Sequence, residues 1–494
     1  MVSTYEAASV ETRADRQIRS IAFTGLAGLL GAVVYMALKR PSVHGDSAGL
    51  VHGAKVIVDC VKHGHFTNCD AYAASRPTGV LVHPFPLLQY LPSVVLRGLG
   101  ATTEATLHVL VALNAVALIA ILGLAWYTLQ RFTSALWPPL VTVVLLASPL
   151  LWYGHVALGE ELTAAVVLAA VVAVLVDVRP AVLAPLVVVA CITKETNPPF
   201  VFGLLVICLL ARTNPIDPTR RRRLVAIVVG TVVGIGLNAG FNVFRYGTWR
   251  NTNYMRSALY APNAGVVSRI FAAEWFSPNG GLAWWWPLAP VLVFSLAVVA
   301  YRRGGPMHWR RFAVPLVAAL FVGQVLLLAT WWAPFGWYAW GPRLVLPLIP
   351  SMIVAACVLA APSASTAVAR FLTSRWLWPV ALIATVIALP QSVAMFRGKV
   401  ISEFFAHPVC TNASLMHAQA RYYQCLEKAA WTKRPWMLQI GMRGVGSPRG
   451  VLVVIAFVAA IGAFLVLARR AARAELAPVV DPPSERAVPA YPGA

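Results

Sequence analysis

The most constraining feature of this chain is a rhythm. Apolar runs long enough to cross a bilayer recur from end to end, with arginine clusters in the gaps. About twelve can be drawn, near 21–38, 105–128, 136–153, 161–177, 181–193, 198–211, 224–244, 285–301, 312–332, 344–361, 376–396 and 451–468. A helix crosses a bilayer core in roughly 17–25 apolar residues. Only helices or closed barrels satisfy their backbone groups inside lipid. The expected fold is therefore all-α, a polytopic transmembrane helical bundle of about twelve spans. Charged residues make up 12% of the chain, against about 25% in a soluble domain.

Charge then sets orientation. The formal net charge is +22, which in a soluble protein would invite a nucleic-acid reading. Here the cations lie between apolar runs: Arg220 to Arg223, Arg302 with Arg303, Arg310 with Arg311, Arg370 with Arg375, and Arg469, Arg470 with Arg473. That is the positive-inside pattern of cytoplasmic loops. No aromatic residues interleave with these arginines in a soluble domain, so a nucleic-acid partner is not expected. With the N-terminus inside, every cluster falls on the cytoplasmic side of the cell membrane, and so does the C-terminus. The organisation is then a cytoplasmic segment 1–20, a membrane domain 21–468 with outer loops 39–104, 245–284 and 396–450, and a proline-rich tail 469–494 that reads as disordered. The first run has the arginine flank of a signal peptide, but its length and lack of a cleavage site favour a retained span. Segment 80–104 is apolar, broken by Pro84 and Pro86 and interrupted by Arg97. A crossing there would invert every later cluster, so it reads as an amphipathic helix on the outer leaflet.

Of seven cysteines, Cys191, Cys208 and Cys357 fall in apolar runs and read as packing residues. Cys60 with Cys69 and Cys410 with Cys425 lie in outer loops. They read as two local disulfides in an oxidising compartment, with free thiols or pairing between loops as alternatives.

The polar residues gather on the outer side. Asp46 follows the first span, Glu160 and Glu161 open the fourth, and Lys194 and Glu195 follow the fifth. Arg245 and Arg250 bracket an aromatic stretch, and Arg343 ends the run Trp337-Tyr338-Ala339-Trp340-Gly341-Pro342-Arg343. A transporter is expected to carry charges near mid-span, on broken helices repeated in two halves; no such repeat is visible and mid-span charges are scarce. Carboxylates and cations ringed by tryptophans fit a lipid-linked phosphate donor. Arg or Lys grips the phosphate, a carboxylate takes the acceptor proton, and aromatic faces suit sugar rings.

In this order the features resemble the GT-C superfamily of integral membrane glycosyltransferases, especially bacterial relatives of the protein O-mannosyltransferases. The resembling elements are Gly45-Asp46, the Glu160-Glu161 pair, Ile192-Thr193-Lys194, Phe276-Ser277-Pro278-Asn279-Gly280-Gly281-Leu282 and Trp340-Gly341-Pro342-Arg343, within about Ile21 to Pro362. The resemblance implies a polyprenyl-phosphate sugar donor and a glycan, glycolipid or protein acceptor, joined with inversion at the anomeric carbon. It implies Asp46 as catalytic base, Glu160 or Glu161 as second acid, and Lys194 and Arg343 on the donor phosphate. Arg250 and Tyr338 are further substrate-binding candidates. Acceptor recognition falls to the loops, chiefly 396–450.

Each residue has a plainer explanation. Asp46 could cap a helix over Ala48 to Val61. A helix dipole alone would favour one of the two glutamates. Lys194 and Glu195 could be a local surface pair, and Arg343 a snorkelling interfacial arginine. The outer histidines His44, His65, His83 and His155 lack zinc-site spacing. A divalent cation on Asp46 and a glutamate fits the chemistry, but no motif calls for one.

Overall fold

The computed structural model describes residues 13–39, 45–75, 85–157, 159–212, 217–251, 263–303, 310–331, 334–335, 343–394, 419–431 and 436–477. All regular structure among them is helical. The chain opens with α1 (Arg13–Lys39), α2 (Gly45–Lys62), α3 (Cys69–Ala74) and α4 (Leu87–Gly98). Next come α5 (Thr103–Phe132), α6 (Trp137–Leu146), α7 (Leu150–Tyr153), α8 (Glu160–Leu175), α9 (Pro180–Cys191) and α10 (Pro198–Arg212). Then follow α11 (Pro218–Tyr246), α12 (Ala264–Phe276), α13 (Leu282–Trp285), α14 (Leu288–Arg303) and α15 (Arg310–Ala329). The last are α16 (Ile349–Thr373), α17 (Leu377–Val393), α18 (Gln419–Ala430), α19 (Trp436–Val445) and α20 (Pro448–Leu476).

Each apolar run of the sequence holds a helix. Among the described residues six helices are long and apolar enough to cross a membrane: α1, α5, α11, α15, α16 and α20. The others are shorter; α6, α9, α10 and α17 are apolar helices of 10–17 residues. Bands of apolar side chains remain exposed on the bundle, including Val225, Val229 and Val232 of α11 and Leu452 and Ile455 of α20. Exposed apolar area of this extent belongs against lipid. The protein is a helical membrane-type protein.

Polar contacts sit at the helix ends. The α8–α9 turn, with Asp177 at positive φ, meets α11 through an Arg223–Asp177 ion pair. Arg470 of α20 pairs with Asp15 of α1, so the start of the first helix and the end of the last share one end of the bundle. Glu160, Lys194 and Arg245 stand at the opposite ends of α8, α9 and α11.

Close helix approach depends on small residues. Gly230 and Gly234 of α11 lie against α9: an added Cβ would meet Val187 Cβ at 2.7 Å and Cys191 Cβ at 2.5 Å. Small residues four apart let membrane helices pack backbone to backbone. Asn238, one turn on, donates to the Cys191 carbonyl at 3.0 Å and fixes the axial register. Gly234→Leu is expected to cost at least ~1–3 kcal/mol by overpacking. Gly236→Leu, with nothing within 4 Å of its added Cβ, is expected to behave as wild type. Thermal midpoints in detergent check both; equal midpoints would mean the seam yields.

Several boundaries differ from the sequence expectations. Run 285–301 is broken between Trp285 and Leu288, where Pro287 supplies no N–H. Run 344–361 begins as turns, and its helix starts only at Ile349, after Pro347 and with Pro350 in its first turn. The tail expected to be disordered from 469 is helical through Leu476, and residues 478–494 lie outside the described residues. Segment 80–104 does hold a helix, α4, with an exposed apolar edge at Leu91, Val95 and Leu99. It also packs on α2 and α5, burying Gln89, Tyr90 and Ser93.

Candidate functional site

The site is built on the ends of α8 and α9. Gly159 precedes α8 in close contact with Gln89: an added Cβ would stand 2.4 Å from that side chain, which would have to shift. Glu160 follows in the first turn of α8, where the helix dipole favours a carboxylate. Its Oε1 accepts a hydrogen bond from Arg343 Nε at 2.5 Å, and the two side chains are only 4% and 8% exposed. Arg343 is therefore a buried ion-pair partner, not a snorkelling residue.

Lys194 completes the cluster. The chain leaves α9 at Cys191 and makes a tight loop before α10. Thr193 Oγ1 donates to Ala190 O at 2.6 Å and accepts from Asn197 Nδ2 at 3.2 Å. The Ile192 carbonyl takes the Leu88 N–H at 3.3 Å, tying this loop to α4. Lys194, half-buried, lies in the fields of Glu160 and Arg343. Burial brings its ammonium down to about 8; the Glu160 carboxylate opposes that shift and the Arg343 guanidinium adds to it. Glu160 is thus ion-paired with Arg343 and lies in the field of a second cation, Lys194. Glu161 is fully buried, and neither of its oxygens has a hydrogen-bond partner, so it contributes no ion pair.

Lys194 and Glu195 are not the local pair their adjacency implies. Glu195 turns to α11, where Arg245 Nη2 donates to its Oε1 at 3.0 Å. Asn251 Nδ2 reaches both Glu195 oxygens, at 3.1 and 3.0 Å. Arg245 is fully buried, donates to Phe85 O at 2.8 Å and Asn242 Oδ1 at 2.5 Å, and lies over the Phe241 and Tyr246 rings at 4.2 and 4.8 Å.

Asp46 stands in the first turn of α2, not at its cap position, because the helix already includes Gly45. The Asp46 side chain lies outside the described residues. Leu50, one turn further along α2, lines a small cleft with Gln89, Asn114, Ala157 and Gly159. The start of α2 is thus at the same end of the bundle as Glu160.

The remaining candidates divide. Arg250 is exposed and stacks over Trp249 at 4.7 Å, with no bond to the Glu160 cluster among the described residues. Tyr338 and Cys410 lie outside the described residues. Cys60 and Cys69 form a disulfide, closing the turn between α2 and α3. Cys425 is disulfide-bonded, and its partner lies outside the described residues. Cys191, Cys208 and Cys357 are buried free thiols. The Phe276-to-Leu282 stretch is a joint between α12 and α13. Gly281 N–H bonds Ser277 O at 2.8 Å, and Asn279 Nδ2 donates to Ala429 O of α18 at 3.2 Å.

Two further ionisable groups are buried: Glu274, which the sequence does not single out, and His155, an outer histidine to which the sequence gives no role. Glu274 of α12 has both oxygens buried and without a hydrogen-bond partner, and burial pushes its carboxyl well above the usual range. Burial brings His155, in the turn before α8, down to about 4, so it is neutral at pH 7. Only the i, i+3 spacing of Asn242 and Arg245 between Phe241 and Tyr246 hinted at a buried guanidinium. Among the described residues no three His, Cys, Asp or Glu side chains converge as a metal site. No protein-family model, curated protein or solved structure matches the chain.

Proposed function

We propose that this protein is an integral membrane glycosyltransferase of GT-C type. It moves a sugar from a polyprenyl-phosphate donor to an envelope glycan, glycolipid or protein acceptor at the outer face of the cytoplasmic membrane. In this reading the twelve apolar runs are twelve crossings, and both termini lie in the cytoplasm. The observation that carries it is the Glu160–Arg343 ion pair with Lys194 beside it. One carboxylate faced by two cations keeps an excess of positive charge at the end of an apolar bundle. Such a place suits a lipid-borne phosphate. Arg343 and Lys194 hold the donor phosphate and stabilise it as it leaves. Asp46 removes the acceptor proton, and Glu160 orients Arg343.

Lys194 gives this reading a pH signature. Its ammonium is charged below about 8 and loses the proton above it. The kcat/KM for donor is expected to fall as pH rises through that value. In Lys194→Arg the falling limb moves beyond the range, because a guanidinium stays charged. A wild-type profile flat to high pH would remove the Lys194 charge from donor binding.

The decisive experiment is transfer in proteoliposomes from a panel of labelled polyprenyl-phosphate sugars, comparing wild type with Asp46→Asn. Transfer in wild type and its loss in the variant is the expected result. Movement of the intact labelled lipid between leaflets without transfer would replace the enzyme with a flippase. The outer-end clustering of charge favours the enzyme.

A further inference from the structure

Lys194 and Glu195 are covalent neighbours with opposite charges, and they face different partners. Glu195 receives three N–H contacts, one from Arg245 and two from Asn251. The Arg245 guanidinium is itself anchored from two directions, to Phe85 O before α4 and to Asn242 on its own helix. It is fully buried, so it has no solvent to retreat to. Lys194 is left to the fields of Glu160 and Arg343.

We propose that Arg245 is a positioning residue. By taking Glu195 as its counter-ion, it keeps that carboxylate away from Lys194 and commits the Lys194 ammonium to the anion site beside Glu160 and Arg343. The choice of polyprenyl phosphate as the anion rests on the glycosyltransferase reading. The positioning itself rests on the bonds to Glu195. A like-charge guanidinium thus controls a lysine it does not touch, by occupying the lysine's nearest competitor. Without Arg245, Glu195 is a half-buried carboxylate adjacent in the chain to an ammonium, and the two close on each other.

The test uses the full chain in nanodiscs, with Arg245→Met, Glu195→Gln and the double variant. One readout is the affinity for polyprenyl phosphate. The other is the rate of Lys194 reductive methylation at pH 8, followed by mass spectrometry. Arg245→Met is expected to weaken binding about 10-fold and slow methylation several-fold, because a Glu195 carboxylate on the ammonium holds its proton. Glu195→Gln alone stays near wild type on both readouts. The double variant recovers both to within about 3-fold, since no carboxylate is left to capture the lysine. Failure of the double variant to recover would show that Glu195 is not the group that captures the lysine, and that result overturns the proposal. Wild-type methylation kinetics in Arg245→Met would overturn it too. Asn251→Ala, which loosens Glu195 but keeps the buried guanidinium, shifts both readouts the same way by a smaller factor. It decides the matter if Arg245→Met does not fold. If wild type binds no polyprenyl phosphate yet the methylation pattern holds, the donor assignment fails and the positioning role stands.

Discussion

Arg343→Met is expected to be the most damaging single substitution in this protein. The guanidinium and the Glu160 carboxylate are bonded at 2.5 Å with side-chain exposures of 8% and 4%. Removing one partner leaves the other charge buried, which costs about 3–5 kcal/mol. Glu160 Oε2 has no hydrogen-bond partner in the wild type, so without Arg343 the carboxylate keeps only the field of Lys194. On the proposed function the same change removes a donor aimed at the leaving phosphate, worth on the order of 10²–10³ in turnover. The two losses separate in the double variant Glu160→Gln/Arg343→Met. It buries no charge, so its thermal midpoint recovers most of the deficit, while its turnover stays at the single-variant level. A stable and active Arg343→Met protein would show that the pair is neither buried nor catalytic. Recovery of turnover in the double variant would make it structural alone.

The legible part of this fold was the part encoded over short range. Apolar run length and arginine spacing located every long helix, because a span is a property of some twenty consecutive residues. Helix starts were less legible. Pro287, Pro347 and Pro350 delay helices inside runs that hydropathy alone reads as continuous. At the site, Glu160, Lys194 and Arg343 stand out in the sequence as polar residues at span ends on one side. Their arrangement was not readable: Arg343 and Glu160 are 183 positions apart, and Arg245 and Glu195 are 50 apart. Adjacency even pointed the wrong way, since Lys194 and Glu195 look like a pair. The loop conformation fixed by Thr193, Asn197 and the Ile192 carbonyl decides the matter instead. Arg250 drew attention over Arg245 for a similar reason. Both flank the same aromatic stretch, and only tertiary packing decides which one is buried.

The second large effect is expected from Asp46→Asn. The argument starts from backbone placement. Asp46 lies in the first turn of α2, one turn before Leu50, which lines the cleft with Gly159, the residue preceding Glu160. A carboxylate carried there has the Glu160–Arg343–Lys194 cluster at the same end of the bundle, where the donor phosphate is proposed to sit. Asparagine keeps the size and removes the basic oxygen, so an acceptor hydroxyl has nowhere to send its proton. General-base catalysis contributes roughly 10²–10⁴ in rate, and turnover should fall by that much. Donor affinity should hold, because Lys194 and Arg343 are untouched, so the loss falls on kcat and leaves KM for donor nearly constant. Expression and thermal midpoint should also hold, since the helix does not need Asp46 as its cap. Asp59→Asn and Asp70→Asn, on partly exposed carboxylates of α2 and α3, supply the contrast and should leave kcat unchanged. The three kcat values, measured side by side at saturating donor, decide the point. Turnover in Asp46→Asn within about threefold of its two neighbours, a loss far below that of a missing general base, would strip Asp46 of its role. The phosphate-gripping pair would then need another base.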